Sequence, residues 1–263
     1  MFRLFYITFK GIIRDRVFQG IMTAAVLLPF IPSISSLSMR QVPELSITLS
    51  LSLISFILLL LSVFLGGTSL WTDMERRYSF SVLGLPVTRA SYLLGKFSGI
   101  AGFIALTTTV LGIIACIVIW YVAGAYPPSR PIIWFNIVFT LLFDAAKYIM
   151  LVAIAFLLST VSTSFFLPIF GTISAFLVGG ATQQVYEFIR SSSGQAFSPA
   201  VKSLIIILYY ILPNFSAFDL KANAIYGIDL SVSGLLMTAA YFIIYTAILL
   251  TLASILFSRR ELK

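Results

Sequence analysis

Long apolar runs alternate with short polar breaks along the whole chain. Six runs fall at residues 20–37, 47–71, 97–122, 132–159, 165–182 and 232–257. Each has the ~18–20 residues that a helix needs to cross the hydrocarbon core of a bilayer. In lipid the backbone must satisfy its own hydrogen bonds, so such runs are helices. The weak ten-residue alternation of membrane β-strands is missing. The pattern predicts an all-α, polytopic membrane protein with six transmembrane helices in a single domain. Pro29 and Pro32 predict a kink in the first span.

Three stretches fall outside this simple alternation. Residues 1–19 are amphipathic, with Arg3, Lys10 and Arg14 on one helical face and Phe5, Phe9 and Ile12 on the other. That suits an N-terminal helix lying in the membrane interface, or a basic flank of the first span. Residues 203–225 open with "SLIIILYYIL", which Pro213 ends. Ten residues of helix rise only ~15 Å, half the hydrocarbon core. This predicts a re-entrant segment on the outer side between spans 5 and 6, with a seventh span as the alternative. Residues 73–96 form the most polar stretch of the first half. Asp73 to Leu83 can form one short helix ended by Gly84, and Pro86 suits the first turn of a second one carrying Arg89 and Lys96. A loop that only anchors needs a few basic residues. This one adds Asp73, Glu75, Tyr78, Phe80 and Leu83, which fits a docking surface.

Composition narrows the function. The chain is 60% hydrophobic and 10% charged, where a soluble domain is nearer 45–50% apolar and about 25% charged. It has no histidine and one cysteine, which leaves no His/Cys metal site, no histidine base and no intrachain disulfide. Cys116, inside an apolar run, reads as a small buried side chain. The net charge of +8 sits mostly in short loops, so it reports topology rather than nucleic-acid binding. With six spans, Arg3, Lys10, Arg14, Arg16, Arg76, Arg77, Arg89, Lys96, Arg259, Arg260 and Lys263 share one side. Arg40, Arg130, Arg190, Lys202 and Lys221 share the other. Eleven against five places both termini and the 73–96 segment in the cytoplasm. The basic N-terminal region reaches Arg16 and no small-residue cleavage site follows, unlike a cleavable signal peptide.

A few polar groups inside or beside the spans are candidate functional residues. Asp144 and Lys147, three apart on one face of span 4, would each be costly alone in lipid. They read as a structural ion pair or as the lining of a polar substrate cavity. Gly171, Ala175 and Gly179 form a small-residue stripe suited to close helix packing. Gln183, Gln184 and Glu187 read as a hydrated mouth. Tyr209, Tyr210, Pro213, Asn214 and Phe215 read as membrane-belt residues or an external gate.

The charged segment "ERRYSFSVLGLPVTRASYLLGKF" resembles the signature between spans 2 and 3 of ABC type-2 transporter permeases, the membrane subunits of ATP-binding-cassette exporters. Glu75, Leu83, Pro86-Val87-Thr88-Arg89 and Gly95-Lys96 match that signature. Tyr78-Ser79 stands where a small residue and Thr are usual, and Gly84 where a second Leu is frequent. "IIRDRVF" resembles the family's N-terminal elbow helix, "LPNFSAFDL" its external segment before the last span, and "FSRREL" its C-terminal end. The resemblance implies an elbow helix, six spans and a cytoplasmic coupling helix that sits in an ATPase groove. Asp73, Glu75, Arg76, Arg77, Tyr78, Phe80, Leu83, Pro86 and Arg89 would serve that coupling. It further implies a bacterial or archaeal cytoplasmic membrane, a second permease subunit as homo- or heterodimer, and two copies of an ABC ATPase subunit. ATP and Mg would be bound by that partner, with no cofactor and no catalysis in this chain. The sequence agrees on its own terms, since it contains no G-x-x-x-x-G-K-[ST] phosphate loop. Its nearest approach, "ASYLLGKF", has Ala90 in place of Gly and Phe97 after Lys96. Two other readings fit the six-span pattern. One is an ion-coupled secondary transporter using Asp144 and Lys147; the other is a non-transporting assembly or signalling protein on the same scaffold.

Overall fold

The computed structural model describes residues 2–38, 41–75, 88–128, 130–191 and 197–259. Among them there are helices and no strand. The helices are α1 (Phe2–Ile13), α2 (Arg16–Thr23), α3 (Ile31–Ser35), α4 (Val42–Glu75), α5 (Arg89–Ala125) and α6 (Trp134–Val161). They continue with α7 (Phe166–Arg190), α8 (Pro199–Ile211), α9 (Lys221–Tyr226) and α10 (Val232–Arg259). Among the described residues six segments are long and apolar enough to cross a membrane, Arg16–Ser35, then α4, α5, α6, α7 and α10, and a seventh if the bent pair Ala200–Ile211 and Phe215–Tyr226 is one span.

Several helices run past the apolar stretches that announce them. At 37 residues, α5 is ~55 Å long, well beyond the ~30 Å hydrocarbon core. Its N-terminus is set by Thr88, whose hydroxyl accepts from Ser91 N at 3.2 Å and so satisfies one of the orphan N–H groups there. The first span is the irregular one. A 3-10 stretch, Ala24–Phe30, contains Pro29 and joins α2 to α3, with a proline in the first turn of α3. Proline removes a helical donor and crowds the preceding turn, so the break falls where the sequence places it.

Packing centres on α4 and α6. Leu51, Ile54, Leu58 and Leu61 of α4 and Leu151, Val152 and Phe156 of α6 are fully buried. The most apolar stretch of α6 is 72% buried, against 17% in the first span and 22% in α10. Spans 1 and 6 are thus peripheral.

The amphipathic N-terminus is two helices rather than one. Asp15 takes extended dihedrals and accepts from Val17 N at 2.7 Å, capping α2 and ending α1. Helix α1 follows α5 in parallel, with Leu4 beside Gly95, Thr8 beside Gly99 and Phe5 beside Gly102. A Cβ at Gly95 or Gly99 would lie 2.9 or 2.8 Å from those side chains, so the missing side chains let α1 seat. Phe9 and Phe18 both pack edge-on against Phe103. Lys10 and Arg14 stay exposed on the outer face.

Between α7 and α10, α8 and the stretch that ends in α9 meet at a 47° bend, the geometry of a broken span or of a re-entrant loop. The chain here packs against α7: Phe197 meets Phe188, Tyr209 stacks on Tyr186, and Phe215 meets Phe176. A 3-10 turn, Phe215–Phe218, is the deepest point, with Phe218 against Phe143 of α6. The chain then runs along α6. Thr140 Oγ1 donates to Leu220 O at 3.1 Å, and Asn136 Nδ2 donates to Asn223 O and Ile228 O, both at 2.9 Å. Gly227, at φ +64, closes α9 in the left-handed conformation that glycine adopts without strain.

Candidate functional site

One face of α5 joins three spans at the end that bears the termini. Arg89, Tyr92 and Lys96 stand at i, i+3 and i+7, one above another. Tyr92 Oη and Lys96 Nζ both donate to the carboxylate of Asp73, in the last turn of α4. Lys96 Nζ also donates to Ser69 O at 2.5 Å. The Tyr92 ring stacks on Phe257 of α10, with centroids 6.4 Å apart. Arg89 donates to Phe257 O at 3.3 Å and to Ser258 O at 3.2 Å. Those carbonyls lie in the last described turn of α10, and a guanidinium is favoured beside helix carbonyls at that end. Lys96 is buried even though it is charged; the carboxylate and the Ser69 carbonyl replace the water it gives up.

This latch sits where the chain leaves α4 and enters α5. Asp73 is therefore part of the second span, not the start of a separate helix, and its carboxylate is engaged within the chain. Glu75 is exposed at the last residue of α4. Arg89 is the first residue of α5. Arg76, Arg77, Tyr78, Phe80, Leu83 and Pro86 lie outside the described residues, as does the turn of the expected helix–turn–helix, whose second helix, with Arg89 and Lys96, is the start of α5.

The second polar group is in the middle of the bundle. Asp144 and Lys147 are bonded at 2.5 Å, and Ser55 of α4 donates to the other carboxylate oxygen. Lys147 also stands over the Tyr148 ring, 4.7 Å from its centroid. Asp144 is 1% exposed and Lys147 5%, so a single chain encloses the pair between α4 and α6. Each charge has a partner of its own, which is what the interior of a bilayer demands.

The third group gathers on α7 at the opposite end. Gln183 Oε1 accepts from Tyr209 Oη at 3.0 Å and from Asn214 Nδ2 at 2.9 Å. Gln183 Nε2 donates to Glu187 Oε1 at 2.5 Å. Tyr241 of α10 accepts from Asn214 N at 3.0 Å, and Ser216 Oγ donates to Gly180 O at 2.8 Å. One level deeper, Gly179 faces Phe215 and the Pro213 carbonyl; a Cβ there would lie 2.5 Å from both. Gly171 instead faces Leu158 of α6, while Ala175 packs at the core's edge. The small-residue stripe thus serves two neighbours, and at Gly179 the neighbour is a turn rather than a helix. Tyr210 is 72% exposed and touches this cluster only through the Tyr209 ring. Gln184 is exposed.

Sequence reading did not single out Tyr92, Ser55 or Tyr241. For Tyr92 a signal was present: the 89/92/96 spacing places it on the face of two basic residues already noted. Ser55 and Tyr241 act across the fold and carry no local signal.

No curated protein matches the chain at a significant level. The family model described as ABC-2 family transporter protein matches residues 3–262, together with an all-helical fold that has six candidate spans. The chain belongs to the ABC-2 transporter family and is a multi-pass membrane permease of an ABC transporter.

Proposed function

We propose that this permease exports its substrate by alternating access, powered by a separate ATPase that docks on the segment between α4 and α5. The observation that carries the reading is the latch. Asp73, Tyr92, Lys96 and Arg89 tie the ends of spans 2, 3 and 6 together at the two points where that segment joins the bundle. A push on such a segment moves three spans as one body, which is what a mechanical transporter needs. The permease then performs no covalent chemistry, and ATP and Mg are held by two ATPase copies. A second permease subunit, the same chain or another, completes the pathway, and both termini lie in the cytoplasm of a bacterial or archaeal cell.

The enclosed Asp144–Lys147 pair supports a structural role, because each charge is already partnered inside one chain. An ion relay would need them to exchange with water or ions.

The test replaces Tyr78 and Phe80 with alanine and measures retention of the ATPase by the purified permease, together with transport-coupled hydrolysis. Aromatic anchors of such interfaces contribute ~2 kcal/mol or more when fully buried. Expected is weaker ATPase retention with unchanged membrane insertion. Full retention and full coupling in the double variant would refute the docking assignment.

A further inference from the structure

A long groove runs down the bundle's surface between α5 and α6. Along α5 it extends from Ala105 to Trp120 and along α6 from Ala145 to Trp134, ~22 and ~16 Å at 1.5 Å per residue. One leaflet of hydrocarbon is about 15 Å deep, half of the ~30 Å core. The groove holds about 580 Å³, well within the size of ligand sites. Besides the indoles of Trp120 and Trp134 at one end and the weakly polar Cys116 thiol, its lining is apolar except for Thr108 and Thr109, and those hydroxyls donate to Ile104 O and Ala105 O of their own helix, both at 2.8 Å. Below its two tryptophans the groove therefore offers no strong free donor, and in the membrane hydrocarbon fits it.

The shape is more specific than a gap between helices. At its outer end the groove passes between Trp120 and Trp134. The same two residues line a second cavity of about 590 Å³, bounded by Tyr121 and Gly124 at the end of α5 and by Pro128 and Ile132 of the α5–α6 connection. Tryptophan and tyrosine concentrate at the level of lipid headgroups. A slot of acyl depth thus opens, through an aromatic mouth, into a chamber at headgroup level. That is the outline of one amphiphile, with its chain below and its head above.

A helix of a second copy fits this groove poorly. Helices associate in membranes where small residues let backbones approach. Here the exposed rims are Ile113, Ile117, Val138 and Leu142. The one glycine of the floor, Gly112, is covered by Leu141, whose Cδ1 would lie 2.8 Å from an added Cβ. We infer that the α5–α6 groove is a binding site for a bilayer phospholipid of the leaflet opposite the termini, held with one acyl chain between Ala105 and Trp120 and its headgroup above Trp134.

The chain carries its own reporters. Of its three tryptophans, Trp120 and Trp134 border the groove, so Trp71→Phe leaves only them. In detergent solution, this variant is titrated with phosphatidylcholine brominated on an acyl chain. Saturable quenching at a single lipid per chain, reversed by unbrominated phospholipid, is expected. Gly112→Leu in the same background pushes Leu141, which also lines the groove, into its floor and should lose at least half of the quenching. Should Gly112→Leu fail to fold, the single native cysteine, Cys116, also lines the groove. Its modification by a thiosulfonate reagent should slow several-fold when the same phospholipid is added. Quenching that grows without saturation and an unchanged Cys116 rate would overturn the site. So would a ready Cys116–Cys116 disulfide between copies, which would place a second chain in the groove.

Discussion

Arg89 donates to the carbonyl oxygen of Ser258 at 3.2 Å, so the first residue of α5 holds the last turn of α10. The contact joins residues far apart in sequence and next to the segment proposed to receive the ATPase. A charge-assisted bond to a helix C-terminus contributes roughly 0.5–2 kcal/mol. Arg89→Ala should lower thermal stability by about 1 kcal/mol and uncouple transport from ATP hydrolysis more than it weakens ATPase retention. Arg89→Lys, which keeps the charge but replaces the planar guanidinium whose Nη1 donates to both carbonyls, should fall between. Transport and hydrolysis measured together in vesicles decide this. Equal loss of both in Arg89→Ala would mean that Arg89 serves assembly alone.

Three glycines on α7 make an internal comparison. A Cβ at Gly179 would lie 2.5 Å from Pro213 O and from the Phe215 ring. A Cβ at Gly171 would meet only the tip of Leu158, at 2.7 Å, and one at Gly180 would meet nothing within 4 Å. Backbone and a packed ring cannot yield as a leucine methyl can. Gly179→Ala should cost ~1–3 kcal/mol from overpacking. Gly171→Ala should cost less, and Gly180→Ala should be neutral or gain up to ~1 kcal/mol of helix propensity. Thermal unfolding of the three variants tests the order. A Gly179→Ala variant as stable as Gly180→Ala would contradict the packing of the Pro213–Phe215 turn on α7.

The spans were legible from length and hydropathy because the bilayer imposes both. Their ends were not. Span 5 reads as 165–182, yet α7 continues to Arg190, because Gln183 and Tyr186 find partners in Tyr209 and Asn214 and stay ordered. A hydropathy pattern takes polar residues as the end of a span; tertiary bonds extend it. At α5 the sequence reads a helix carrying Arg89 and Lys96 ahead of the span at 97, and the structure has both as one helix capped by Thr88. Asp144 and Lys147 could be paired from their spacing, but Ser55 comes from another span. The latch is assembled from residues near 73, 92 and 257, and only its α5 face leaves a local pattern.

For the mid-membrane pair the expected order is set by what each change leaves behind. Asp144→Asn leaves Lys147 charged and buried, costing ~3–5 kcal/mol. Asp144→Asn with Lys147→Met removes both charges and should recover most of that loss. Ser55→Ala removes one donor to Asp144 and should cost about 1–2 kcal/mol, as a bond to a charged group does. Thermal unfolding in detergent, with transport measured alongside, separates the roles. A double variant that is stable but does not transport would argue for a function beyond structure.

The Asp73–Lys96 pair yields a prediction of asymmetry. The two side chains are not equally exposed, at 24% for Asp73 and 11% for Lys96. Removing the carboxylate strands the deeper partner: in Asp73→Asn the ammonium of Lys96 keeps only Ser69 O and a neutral amide, inside the bundle. Removing the ammonium strands the shallower one, since in Lys96→Met the carboxylate still accepts from Tyr92 and reaches water. Breaking a fully buried pair costs ~3–5 kcal/mol, and Asp73→Asn should approach that range while Lys96→Met stays near ~1–2 kcal/mol, the value of a single charged bond. Tyr92→Phe should be mild alone. Combined with Lys96→Met it should be worse than the sum, because Asp73 then loses both donors on α5, and neighbours in one network are not additive. A double-mutant cycle by thermal unfolding reads the coupling. If Lys96→Met proves the more damaging of the two single changes, Lys96 is held by contacts other than this carboxylate, and the latch does not transmit force through Asp73.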